Sequence, residues 1–317
     1  MNKLTIVAVT LLLCTSLCFA APLSTAAVQP TGDQVASVLR TANQPAQDSP
    51  PPVTPTKEIV SPSLQAAVDK FFRELSAQKG FEGWKQGTWS SYALGPGTHG
   101  WVILITVGGK EAGYMVLHAA GPDTYRLSEY GKGEFPLYSL QTLYRSLVQL
   151  ELMDYSYQAQ RLYYDPLQAV WKITVDGADR EWYLDAKTGE ELPFKDSSHF
   201  PDLPATEDMK PFTNTDSSHT IAATGQTTAA AASQRLPWVQ GKPEANMTQA
   251  KLKQWINDST TSQPIYSAEL FQGSVTLPLT VTGYQAWSGG DLFVQVLQDD
   301  DRYLPYEPLA ALGGFYP

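Results

Sequence analysis

Residues 170–190 read VWKITVDGADREWYLDAKTGE, and their pattern decides the fold class. Strand-forming residues run through Ala169–Val175, stop at Asp176-Gly177 and resume at Arg180–Asp185. An Asp-Gly pair between two such runs is a hairpin turn, because Gly reaches φ > 0 without steric penalty. After the last run the chain turns once more: Asp185 is placed to cap that turn, and Gly189 to take its left-handed position. Upstream, Tyr157–Tyr164 forms another run that turns at Asp165-Pro166. Ahead of it, Leu137, Leu140, Leu143, Tyr144, Leu147, Val148 and Leu150 make an amphipathic helix. The predicted unit over 136–194 is thus a helix followed by three antiparallel strands.

The same order occurs one unit earlier, over 58–135. Ser61-Pro62 marks a helix start, since Ser caps and Pro tolerates the first helical position. Leu64, Ala67, Val68, Phe71, Phe72 and Leu75 follow at helical spacing, and Gly80 and Gly83 end the helix. Extended runs follow at Thr88–Leu94, Trp101–Val107 and Glu111–His118, the last two joined by Gly108-Gly109, with a short fourth at Tyr125–Tyr130. The pattern predicts an internal duplication. A third unit, 236–317, has a helix capped by Thr248 that places Leu252, Trp255 and Ile256 on one face. Strands are expected there at Ile265–Phe271, Leu277–Trp287, Leu292–Leu297 and Arg302–Tyr306. The expected fold class is α+β: two tandem helix-plus-antiparallel-sheet repeats, then a small aromatic-rich helix/β module.

The segment from about 137 to 192 resembles a PepSY-like domain. The resemblance rests on Val170–Gly177 and on the closing YLDAKTGE of 183–190, with a possible diverged copy at about 60–130. It implies an envelope or secreted setting and a non-catalytic α+β fold. Such domains occur in protease propeptides, linked to inhibition or assisted folding, and in stand-alone envelope proteins. This chain departs from the propeptide arrangement because no recognisable protease domain follows.

The flanks set the compartment. Residues 1–20 read as a signal peptide: Lys3, an apolar run centred on Leu11–Leu13, and a cut after Ala20. Both cysteines, Cys14 and Cys18, fall inside it, so the mature chain is expected to lack a thiol nucleophile, a disulfide or a thiolate metal site. Lipidation at either cysteine is a weaker alternative, since each follows a leucine. Residues 21–57, with Ser49-Pro50-Pro51-Pro52, read as a disordered tether, and 195–235 as a disordered linker. The 317 residues carry 32 acidic and 22 basic side chains, a net charge of −10 that disfavours nucleic-acid binding. No later apolar run approaches the roughly 20 residues of a membrane span. The expected location is extracytoplasmic, in a bacterial envelope or secretome.

No motif with a catalytic mechanism is present. There is no HExxH, no Gly-x-Ser-x-Gly and no phosphate or dinucleotide loop. His118 reads as an acid/base group near a cleft or as a buried strand-end histidine. The segment Glu129-Tyr130-Gly131-Lys132-Gly133-Glu134 reads as a binding loop or a plain connection. Asp299-Asp300-Asp301 reads as a calcium turn without the EF-hand pattern, or as a solvated hairpin. Trp255, Tyr284, Trp287 and Tyr303 are either core or an exposed binding face. The expectation is an exported, non-catalytic protein with no cofactor or metal, whose repeats bind or regulate a secreted or envelope protein such as a protease. The alternatives are a wall- or glycan-binding protein acting through the four aromatics, and a hydrolase with an unrecognised site.

Overall fold

A computed structural model describes residues 60–95, 97, 99–201, 220–227, 241–258 and 262–317. The expected signal at 1–20 and tether at 21–57 lie outside these residues. Helix α1 (Pro62–Ser76) starts where the cap predicts: Ser61 is extended, its hydroxyl accepts from Leu64 N at 3.2 Å, and Pro62 opens the first turn. Its stripe of Leu64, Val68, Phe71 and Leu75 is buried. Four strands follow as an antiparallel meander: β1 (Thr88–Leu94), β2 (Gly100–Val107), β3 (Lys110–Gly121) and β4 (Thr124–Lys132). Helix α1 packs on the face carrying Ile103, Ile105, Met115 and Tyr130. The other face presents Val102, Leu104, Tyr114 and Val116 to a second core. That division is the period-2 alternation of a strand, with both faces covered.

The next segment gives α2 (Leu140–Gln149), capped by Ser139, then β5 (Tyr157–Asp165), β6 (Gln168–Val175) and β7 (Glu181–Asp185). These three strands form their own antiparallel sheet. Its Tyr163, Trp171, Ile173 and Leu184 pack with α2 and the first meander. Its Leu162, Val170 and Tyr183 pack instead with the C-terminal part of the chain. The small sheet is a wedge, covered on one face by α2 and the first meander and on the other around Leu162, Val170 and Tyr183.

The C-terminal part supplies β8 (Ile221–Gln226), α3 (Gln249–Asn257), β9 (Ile265–Leu270), β10 (Val275–Trp287), β11 (Leu292–Gln298), β12 (Asp300–Pro305), α4 (Tyr306–Leu312) and β13 (Gly313–Tyr316). Strand β12 pairs antiparallel with β4, matching Asp301 to Lys132, Arg302 to Gly131 and Tyr303 to Tyr130. One ten-stranded sheet results, in the order β1-β2-β3-β4-β12-β11-β10-β9-β13, with β8 on β10.

This corrects the α+β expectation of tandem repeats with an appended module. The protein is mostly antiparallel sheet, and the first and third segments share it. Alternation specifies where strands lie and which way their side chains point, but not which strand is the neighbour. Strand β8 forms inside the stretch read as a disordered linker, while α4 and β13 had no sequence counterpart.

Candidate functional site

The tip of the β5–β6 hairpin enters the angle where β4 meets β12. Asp165 shapes this tip by accepting from Leu167 N at 2.8 Å and Gln168 N at 2.9 Å. Gln168 Oε1 accepts from Phe271 N at 3.2 Å, and Pro166 O accepts from Arg302 Nη2 at 2.7 Å. Arg302, 3% exposed, forms an ion pair with the fully buried Glu129 at 2.8 Å. It also donates to Tyr114 Oη at 3.1 Å and Gln298 Oε1 at 2.5 Å, while Tyr114 donates to Glu129 at 2.9 Å. Burial pushes the Glu129 carboxyl up, and Arg302 and Tyr114 pull it back. Burial also opposes charge on Arg302, but Tyr114 and Glu129 outweigh it and hold the guanidinium protonated. The cluster is buried, so it ties four strands and a hairpin together and offers no group to a substrate.

The acidic turn joins this tie. Asp300 accepts from Phe135 N at 3.0 Å and lies 3.6 Å from Lys187 Nζ, which donates to Phe135 O at 2.5 Å. Burial lowers the pKa of Lys187, with Arg302 adding to that effect. Asp301 pairs with Lys132 at 3.2 Å on the wall of a cleft of about 370 Å³ that Gly80, Trp84 and Ala112 also line. Two of the three aspartates are therefore matched to lysines. Among the described residues, no group of three or more His, Asp or Glu side chains is arranged to hold a metal ion.

The other sequence candidates fall in separate places. His118 is 1% exposed, with its Nδ1 2.7 Å from Ser128 Oγ. Desolvation, with Arg126 adding to it, lowers its pKa to about 3, so the ring is a neutral packing group at ordinary pH. Glu129 to Lys132 belong to β4 and not to a loop. Tyr284, Trp287 and Tyr303 are buried, and Trp255 is half-buried with its indole N–H on Ser262 O at 2.9 Å. Trp255 and Tyr284 serve one core, whereas Trp287 and Tyr303 serve another with Phe81 and Tyr130. These aromatics do not share an exposed face.

Sequence reading missed the seam between β5 and β1. The Arg161 carbonyl points away from β6 and accepts from Gly95 N at 2.5 Å. In an antiparallel strand a residue's N–H and C=O face the same side. The same groups of Ala159 and Tyr157 therefore also point outward. Among the described residues β5 pairs only with β6, and those outward groups carry no partner. Gln158 and Gln160 are exposed beside this edge, and Tyr155, two residues before the strand, is 59% exposed. An open edge beside an exposed aromatic is a surface suited to take an extended chain. The signal for it in the sequence is slight: Arg161 is a charged residue that opens the buried run Arg161–Tyr163 of β5.

Among the described residues, no helix is long and apolar enough to cross a membrane. Comparison with family models, with curated proteins and with solved structures finds no match to this chain.

Proposed function

We propose that this is an exported, non-catalytic protein that binds or regulates another secreted or envelope protein, a protease being one such partner, by taking an extended segment of it onto the outer edge of β5. The observation that carries this reading is the run of outward backbone groups at Tyr157 and Ala159, open beside exposed Gln158, Gln160 and Tyr155. Main-chain hydrogen bonds along such an edge supply affinity without requiring a deep pocket. The PepSY-like character of 137–192, an inference from its sequence, fits the same role. The buried Arg302–Glu129 tie and the neutral His118 support a scaffold in preference to a hydrolase, because Arg302, Glu129 and His118 each bond across to a neighbouring strand. The wall-binding alternative needed Trp255, Tyr284, Trp287 and Tyr303 on one exposed face, and their burial gives it no support.

The test is Ala159→Pro. Proline removes the outward N–H and leaves the β6 side of the ladder in place, the arrangement an edge strand tolerates. Crosslinked capture from the native secretome is expected to fall at least tenfold, with the unfolding midpoint little changed. Capture that persists in this variant at wild-type level would sink the proposal.

A further inference from the structure

The β5–β1 seam holds a group whose chemistry is incomplete. Arg161 is 6% exposed, and its Nε and Nη2 are buried without a hydrogen-bond partner. These two nitrogens form the side of the guanidinium that grips two oxygens at once. The Tyr92 ring centroid lies 4.4 Å from Arg161 Cζ and the Trp171 centroid 4.5 Å from it. Trp171 is the cross-strand neighbour on β6, and Tyr92 comes from β1 on the other side. The two rings thus reach the cation from different strands. Glu111 is an acid whose charge influences Arg161, but its carboxylate is already held by Ser139 Oγ at 2.5 Å and by the backbone of Leu140.

Rings this close stabilise the charge but accept no N–H hydrogen bond in the guanidinium plane. Buried donors left unmet are costly, more so when charged, so such a group calls for an acceptor. The unmet Nε–H and Nη2–H lie side by side in the guanidinium plane, and the two oxygens of a planar carboxylate match that pair.

We propose that Arg161 is a carboxylate-binding site, gripping a planar carboxylate edge-on between Tyr92 and Trp171 at the end of the open β5 edge. This rests on the partner-binding reading above for one of its two sources: the C-terminal carboxylate of a polypeptide laid along Tyr157–Ala159. The other source is a free small carboxylate. The Nη2 and Nε atoms are covered in the ligand-free chain, so binding parts the seam where Gly95 N meets Arg161 O.

The experiment follows the Nε–H resonance of Arg161 in the full chain by ¹H–¹⁵N NMR, assigned by its loss in Arg161→Lys. The probes are sodium acetate, the peptide acetyl-Ser-Val-Thr-Val with a free carboxylate, the same peptide amidated, and sodium sulfate at matched ionic strength. A saturable shift with acetate or the free peptide, absent with the amidated peptide and at least tenfold weaker with sulfate, is the expected result. A free peptide binding tenfold or more tighter than acetate assigns the polypeptide source, and equal binding assigns the small carboxylate. No saturable shift with either carboxylate, or equal binding of the amidated peptide or sulfate, overturns the site. Arg161→Lys keeps the charge but lacks the fork, and is expected to weaken free-peptide binding at least tenfold. If partner capture survives in this variant and the wild-type resonance never responds, the carboxylate site fails while the β5-edge reading stands. If acetate shifts the resonance but Ala159→Pro leaves capture intact, the reverse holds.

Discussion

Burial holds the His118 ring neutral down to about pH 3, while the unfolded chain protonates it near 6.5. A group whose folded pKa is depressed gives stability that is complete above the unfolded pKa and is lost as pH falls toward the folded one. Stability is therefore expected to drop between about pH 6.5 and 3 by up to about 1.4 kcal/mol per pH unit from this one ring. Urea unfolding across that window checks it, and His118→Gln is expected to flatten the slope. An unchanged slope in the variant would show that other groups carry the acid sensitivity. Glu129 poses a different residue-scale question, since removing it strands Arg302 in the core. Breaking a buried pair costs about 3–5 kcal/mol, whereas replacing both members with apolar groups of similar volume is close to neutral. Glu129→Leu is expected to lose stability in that range, and Glu129→Leu with Arg302→Met to regain most of it. A double-mutant cycle from denaturant midpoints gives the coupling. Additive losses would mean that the pair is not a unit.

Among elements, the β4–β12 seam depends on a residue without a side chain. A Cβ on Gly131 would sit 2.5 Å from Tyr114 Cε1 and 2.9 Å from the Asp301 carbonyl oxygen. The first is a buried ring and the second is the backbone of the partner strand, so neither yields cheaply. Gly131→Ala is expected to cost about 1–3 kcal/mol by overpacking, while Gly83→Ala, with nothing within 4 Å, is expected to be near neutral. Equal midpoints for the two would contradict the close-packed seam. Element positions were largely legible in the sequence. Thr88–Leu94 is β1 without adjustment, and the Ser61 and Thr248 caps open α1 and α3 as read. Each was legible because period, cap and turn chemistry are local. Helix α4 was not, because Tyr306–Leu312 carries Pro308 and is only seven residues long, too short for a 3.6 period to show. Strand β8 was not, because Ile221–Gln226 is polar and small, and forms on the edge that β10 presents.

At the scale of the molecule, what stayed illegible was partnership. Tyr130 lies on Tyr303 with ring centroids 4.8 Å apart and planes 7° from parallel, and Glu129 meets Arg302 across 173 positions. No local pattern encodes such a pairing, because hydrophobic alternation is satisfied by any covered face. The carboxylate loop read at 129–134 contained the right residue, Glu129, but its role needed Arg302 beside it. The consequence is mechanical. The first meander has its partner strand in the third segment, and the small sheet lends one face to each. A fragment ending at residue 201 would expose the edge of β4, leave Glu129 without Arg302, and uncover Leu162, Val170 and Tyr183. Each loss alone is destabilising by an amount comparable to a large part of a domain's net stability, which is typically about 5–15 kcal/mol. The described residues are therefore expected to unfold as one cooperative unit. Tryptophan fluorescence and far-UV circular dichroism should give coincident urea transitions, and the truncated fragment should lack near-UV structure. Two resolved transitions, or a fragment of residues 60–201 that keeps a native-like near-UV spectrum, would show that the segments fold separately and only then dock.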